Sequence, residues 1–183
     1  MRLFVGIAVP PEIAREISGF VLHLRSLSAD LRWSAPEGWH ITLQFLGNIE
    51  ASRYACVVEH LSQVQSAPVS VQLEGTGIFE RAGIFFASVK VNPELLALQQ
   101  RVTAAMHYCD FIPETRPYHP HITLARGKGR PGMRALQVLQ NAVRKQPRFG
   151  EFLAKGFLLY ESFTEPSGSR YEVCARFPLV LAK

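Results

Sequence analysis

His40-Ile-Thr-Leu-Gln-Phe-Leu-Gly-Asn48 decides the fold, because its first four residues return unchanged as His121-Ile-Thr-Leu124. Each copy reads as a strand, and the first ends on the turn pair Gly47-Asn48. Successive strand residues point to opposite faces. His40, Thr42 and Gln44 therefore share one face, while Ile41, Leu43 and Phe45 turn to a core. His121 and Thr123 likewise oppose Ile122 and Leu124. Two such strands facing each other would line a cleft with two imidazoles and two hydroxyls.

Outward from these words the chain alternates short strands with single helices. Leu3–Val9 is a β-rich run, and Pro10-Pro11 opens a helix expected to reach about Ser28, with Ile13, Ile17, Phe20, Leu24 and Leu27 on its apolar stripe. Trp33 lies in a short extended piece before the turn Pro36–Gly38. A second helix spans about Ala51–Val64. Val69–Leu73 and Ile84–Val91 read as strands flanking a glycine-containing loop, Gly75–Gly83. Pro93 starts a third helix reaching about Tyr108, and Met133–Lys145 forms a fourth. Two last strands, Phe152–Ser162 and Arg170–Pro178, flank the turn Pro166-Ser-Gly168. Strands in adjacent pairs, broken by single helices, argue an α+β class with antiparallel pairing.

The 183 residues suit one domain, 1–183, and 48% hydrophobic against 19% charged residues excludes a disordered or fibrous chain. No apolar run reaches the ~18 residues of a membrane span, and the short Leu3–Val9 run reads as a first strand, because a signal peptide wants a longer apolar core and a small-residue cleavage site. Cys56, Cys109 and Cys174 show no metal spacing, so they read as reduced, buried thiols of a cytoplasmic protein. Residues 1–91 hold 7 Lys/Arg against 8 Asp/Glu, whereas residues 92–183 hold 13 against 7. Arg126, Lys128, Arg130, Arg134, Arg144, Lys145 and Arg148 fall in a stretch without any acid. Such a surface suits a polyanion, or is simply a solvated face.

A pair of histidines is the minimum kit for general acid and base near neutral pH. In-line displacement at a phosphodiester sets attacking and leaving oxygens on opposite sides of phosphorus, so the two must come from opposite walls. Thr42 and Thr123 can donate to the non-bridging oxygens, and Arg126 can offset their charge. Strict alternation sends Arg126 to the core face, so a strand end or bulge must turn it into the cleft. His119 and His121 alone lack a third ligand for zinc. His23, His60 and His107 read as structural or solvent-facing. Trp33, Trp39 and Phe45 read as core rather than base-stacking platforms.

Leu31–Gly47 closely resembles the first signature of the RNA 2′,3′-cyclic phosphodiesterases, the LigT-like or "2′-5′ RNA ligase" family of two-histidine phosphoesterases. Arg116-Pro-Tyr-His-Pro-His-Ile-Thr-Leu-Ala-Arg126 resembles the second. Leu159–Ser162, Gly168 and Arg170–Val173 resemble its C-terminal strands, and Met1–Val9 its first. Trp39 departs from the smaller apolar residue usual there. The resemblance implies a bilobal α+β fold with pseudo-twofold symmetry, each lobe an antiparallel sheet backed by helices, with the phosphate held between the lobes. It implies His40 as proton donor and His121 as proton acceptor in opening an RNA-terminal 2′,3′-cyclic phosphate to a 2′-phosphomonoester. It implies no metal or nucleotide cofactor, and RNA with a terminal cyclic phosphate or cyclic nucleotides as partners; a monomer with no membrane partner is the expectation. Ligation or cleavage of 2′-5′ linkages, or a non-catalytic RNA-end binding module, are the alternatives.

Overall fold

The computed structural model describes residues 1–143, 145–165 and 168–180. The first sheet has four strands in the order β3(His40–Asn48), β1(Arg2–Ala8), β8(Gly156–Glu165), β9(Gly168–Pro178). The second has five, in the order β2(Leu31–Trp33), β6(His121–Gly127), β5(Ile84–Val89), β4(Val69–Phe79), β7(Arg148–Ala154). Every pairing is antiparallel. Four helices, α1(Pro11–Arg25), α2(Ala51–Ser62), α3(Pro93–His107) and α4(Gly129–Ala142), complete the α+β architecture.

α3 shows how sequence becomes packing. Asn92 caps it, its side chain accepting from Leu95 N at 2.7 Å and donating to Ser70 O at 2.8 Å, which ties the helix start to β4. Pro93 follows at the first helical position, where its missing N–H costs nothing. Leu95, Leu98, Val102 and Met106, at three- and four-residue spacing, are all 0% exposed. Each such burial is worth about 1.5–3 kcal/mol.

Several expectations need correction. α1 stops at Arg25; Val21 replaces Phe20 in its buried stripe, and Leu27 beyond its end is 49% exposed. The Gly75–Gly83 segment is not a loop, for β4 runs through Gly75 and Gly77 to Phe79 before a short 3₁₀ turn, Glu80–Ala82. Gly77 fits because a Cβ there would lie 2.5 Å from the Phe86 ring. Phe152–Ser162 is not one strand: the chain breaks at Lys155 and passes from the second sheet to the first. Two residues of the turn at 166–168, and Arg144, lie outside the described residues.

Cys56 and Cys109 are not free thiols but are joined by a disulfide, leaving Cys174 free and half-buried. α3 ends in a Schellman turn, with Phe111 N bonded to Met106 O at 3.2 Å, Asp110 N to His107 O at 3.0 Å, and Asp110 at φ 60°. That turn sets Cys109 against α2, which packs beside α3 and carries Cys56. The two Cα atoms lie 5.9 Å apart.

Candidate active site

The repeated word carries more than its four letters. In β3, Gln44 pairs with Val5 and Thr42 with Gly6, so Leu43 has no partner. In β6, Ala125 pairs with Phe85 and Thr123 with Phe86, so Leu124 has none. Each word thus contains a β-bulge at its Leu, and each bulge reverses the face pattern downstream. Gln44 is therefore buried instead of lying beside His40, and Phe45 is 60% exposed instead of in the core. The same device turns Arg126 away from the core onto the face of His121. Of the aromatics expected in the core, Trp39 is buried and Trp33 half-buried.

β3 and β6 come from different sheets and touch. Tyr118, just before β6, spans them by donating to Thr42 O at 3.1 Å. Burial raises its phenol pKa, so it stays a neutral donor. The two histidines are held alike. His40 Nδ1 lies 2.7 Å from Gly38 O, and His121 Nδ1 lies 2.8 Å from His119 O. A carbonyl only accepts, so Nδ1 carries the proton and Nε2 is left for chemistry.

Aromatic rings wall each imidazole. His40 lies 4.5 Å from Phe4, 4.9 Å from Tyr171 and 5.7 Å from Tyr160, between ring centroids. His121 lies 4.9 Å from Phe79 and 5.4 Å from Phe86. These six aromatic residues, Tyr118 included, escape the sequence reading. They come from β1, β4, β5, β8, β9 and the segment before β6, and an apolar ring in a strand does not by itself show that it borders a histidine of another strand.

The walls set the electrostatics. Burial pushes the His40 imidazole down to about 4; the Gly38 carbonyl opposes this, and positive charge on His121 and Arg126 adds to it. Burial also lowers His121, against the His119 carbonyl, with His119 and Arg126 lowering it further. His40, His121 and Arg126 therefore lie within electrostatic reach of one another. Desolvation lowers Arg126 as well; Tyr171 opposes this, and Arg32 and Arg2 reinforce it. Arg32 and Arg126 are direct cross-strand partners, a like-charge pairing that is unfavourable unless an anion joins it.

Thr42 and Thr123 are half-buried, two residues along from their histidines, and neither hydroxyl bonds to protein among the described residues. His119 is exposed beside Phe79 and Phe86. Among the described residues, the only trio of His, Cys, Asp or Glu side chains close enough to share a metal ion is Cys56, His60 and Cys109. An open groove of about 660 Å³ lies beside the histidines rather than at them, lined by Glu80, Arg81, Gly127, Lys128, Arg130 and Arg134 and starting one residue past Arg126. No histidine lines it, so it stands apart from the histidine pair as a basic surface.

The family model of the 2′-5′ RNA ligase superfamily matches residues 9–161. The RNA 2′,3′-cyclic phosphodiesterase of Archaeoglobus fulgidus is 30% identical over 177 residues, covering 94% of this chain and 97% of the relative. That of Thermus thermophilus is 30% identical over 196 residues, covering 98% and 90%. Among solved structures, a Thermus thermophilus protein superposes with a TM-score of 0.79 at 26% identity, covering 98% of both chains. Escherichia coli LigT complexed with 3′-AMP superposes with a TM-score of 0.77 at 24% identity, covering 97% of both, a likeness of fold.

Proposed function

The chain belongs to the 2′-5′ RNA ligase superfamily, and we propose that it is an RNA 2′,3′-cyclic phosphodiesterase that opens the terminal ring to a 2′-phosphomonoester through His40 and His121. The observation that carries this reading is the pair of bulged words. Two strands from two sheets present the same imidazole, held by the same i−2 carbonyl bond, beside an arginine; among the described residues neither Nε2 has a hydrogen-bond partner and the arginine has no carboxylate partner. The curated relatives bearing that activity in their names support the substrate class.

Water attacks phosphorus in line with the O3′ leaving group. His121 Nε2 takes the water's proton, and His40 Nε2 donates one to O3′ as the P–O3′ bond breaks. Thr42, Thr123 and Arg126 hold the non-bridging oxygens and offset the charge that builds on them. The cleft by itself disfavours both imidazolium ions, so the phosphate must supply the negative charge that protonates one histidine. One observation favours the reversed assignment: burial depresses His40 strongly, to about 4, which makes it the poorer resting acid. Leaving-group chemistry separates the two readings.

On an oligoribonucleotide ending in a cyclic phosphate, His40→Ala and His121→Ala should each lose about 10²–10⁴-fold in turnover. On a nitrophenyl phosphodiester, whose leaving group departs without a proton, His40→Ala should recover much of its deficit and His121→Ala should not. Selective rescue of His121→Ala reverses the roles, and no rescue of either leaves the histidines as phosphate holders. Phosphorus NMR identifies a 2′-monoester product. Joined oligonucleotides would instead mark ligation, and binding without product a binding module. Turnover should survive excess chelator, and loss restored by zinc would replace acid–base catalysis with a metal mechanism.

A further inference from the structure

We propose that Cys56, His60 and Cys109, away from the histidine pair, form a binding site for a thiophilic divalent cation, zinc above all, when the two sulfurs are reduced. Cys56 and His60 lie one helical turn apart on α2, so both side chains leave the same face. Cys109 comes from the Schellman turn that ends α3 and is buried, whereas Cys56 and His60 are half-exposed. His60 Nδ1 stands 3.6 Å from Cys56 Sγ and 3.7 Å from Cys109 Sγ. Zinc bonds of about 2.3 Å to sulfur and 2.0–2.1 Å to nitrogen, at tetrahedral angles, put ligand sulfur and nitrogen about 3.6 Å apart. Two edges of a tetrahedron are therefore already set, and the third opens when the sulfurs part.

Both ends of the trio are anchored. The Arg53 guanidinium, one turn before Cys56, donates to the Cys109 carbonyl and lies over the Phe111 ring, 4.3 Å from its centroid. It binds α2 to the Cys109 turn and offers positive charge that favours thiolates. The Tyr108 ring stacks on His60 at 5.5 Å. His60 Nδ1 also lies 3.0 Å from the Cys56 carbonyl, a contact it exchanges for the ion when its proton moves to Nε2. Three protein ligands leave the fourth position, on the half-exposed side, to water.

The disulfide and the metal are alternative occupants. A phosphine reductant takes oxygen from one water and becomes a phosphine oxide, while its two electrons and the water's two protons convert the Sγ–Sγ bond to two thiols. The cation then displaces both thiol protons to solvent.

Cobalt(II) titration of the phosphine-reduced full-length protein tests this. One equivalent should give the visible bands of tetrahedral cobalt with a thiolate-to-cobalt charge-transfer band, and zinc should bleach both. The same protein oxidised to the disulfide should give neither. Cys56→Ser and Cys109→Ser should each weaken cobalt binding by at least about a hundredfold, the most that outer-shell changes alone usually cost. Cys174→Ser should bind as wild type does. Absence of the charge-transfer band in reduced wild type overturns the proposal. So does its persistence in Cys56→Ser/Cys109→Ser, or its loss in Cys174→Ser. Should the serine variants fail to fold, the reduced and oxidised wild type decide the matter alone.

Discussion

At the scale of the residue, the burial that positions His40 also makes native stability depend on pH. Its native pKa is about 4, against about 6.5 in an unfolded chain. Between those values the unfolded state binds a proton that the native state refuses. Stability present above pH ~6.5 is therefore lost as pH falls toward 4, and no further below it. At about 1.36 kcal/mol per unit, the loss near pH 4.5 should reach 2–3 kcal/mol, as an upper estimate, and His121 acts in the same direction. Urea midpoints at pH 7.5 and 4.5 check it: His40→Gln should lose less on acidification than wild type, and equal losses would place the acid sensitivity elsewhere. Phosphate should bind with proton uptake, because its charge restores what desolvation took away. The histidines and threonines were legible from alternation, since the first three residues of each word precede the bulge. Gln44 and Phe45 were not, because a bulge exists only in the pairing with β1 and leaves no mark on β3's own sequence.

At the scale of the element, β1 bears on the proposed catalysis without supplying a catalytic group. Gly6 lies opposite Thr42, and a Cβ there would sit 2.9 Å from Ile41 O and 3.6 Å from His40 Cδ2. A backbone oxygen cannot swing aside as a side-chain tip does, so Gly6→Ala must push β3 outward beside its bulge. Overpacking of this kind costs about 1–3 kcal/mol. The same shift moves Nε2 of His40, and a displacement near 1 Å can cost about 10²-fold. Gly6→Ala should therefore remain folded by circular dichroism, with a lowered Tm and a fall in kcat larger than its change in KM. A variant with wild-type kcat would show that His40 does not depend on the β1 contact. Most of the elements could be read from periodicity and from prolines and glycines at their ends, as α3 illustrates with Pro93 at its start. The errors fell where tertiary packing overrode local signals. Gly75 and Gly77 suggested a loop but serve a strand with Phe86 laid across it, and Lys155 carries no signal that the chain changes sheets there.

At the scale of the whole molecule, the cleft and the basic stretch join into one surface. β6 delivers Arg126 to the histidines, and the groove lined by Arg81, Lys128, Arg130 and Arg134 begins at the next residue, Gly127. A second concavity continues along Arg130 and Arg134 toward Leu27–Asp30. Composition revealed the excess charge but not Arg81, which reaches the groove from the turn between β4 and β5. Glu80 is the one carboxylate in the first groove, so its field favours a phosphate backbone running from the cleft over the start of α4. Longer RNA with a cyclic phosphate end should then have a lower KM than a cyclic mononucleotide, and the advantage should shrink with salt. Each phosphate contact on a single strand contributes a log–log salt slope of about −0.7, so replacing Arg81, Arg130 and Arg134 together by Gln should make the slope shallower by about 2. None of the three touches the reacting phosphate in this arrangement, so turnover of the cyclic mononucleotide should stay near wild type. Equal losses on both substrates would make the groove part of the catalytic centre. An unchanged slope on the longer RNA would leave these arginines a solvated face and send the strand along another path.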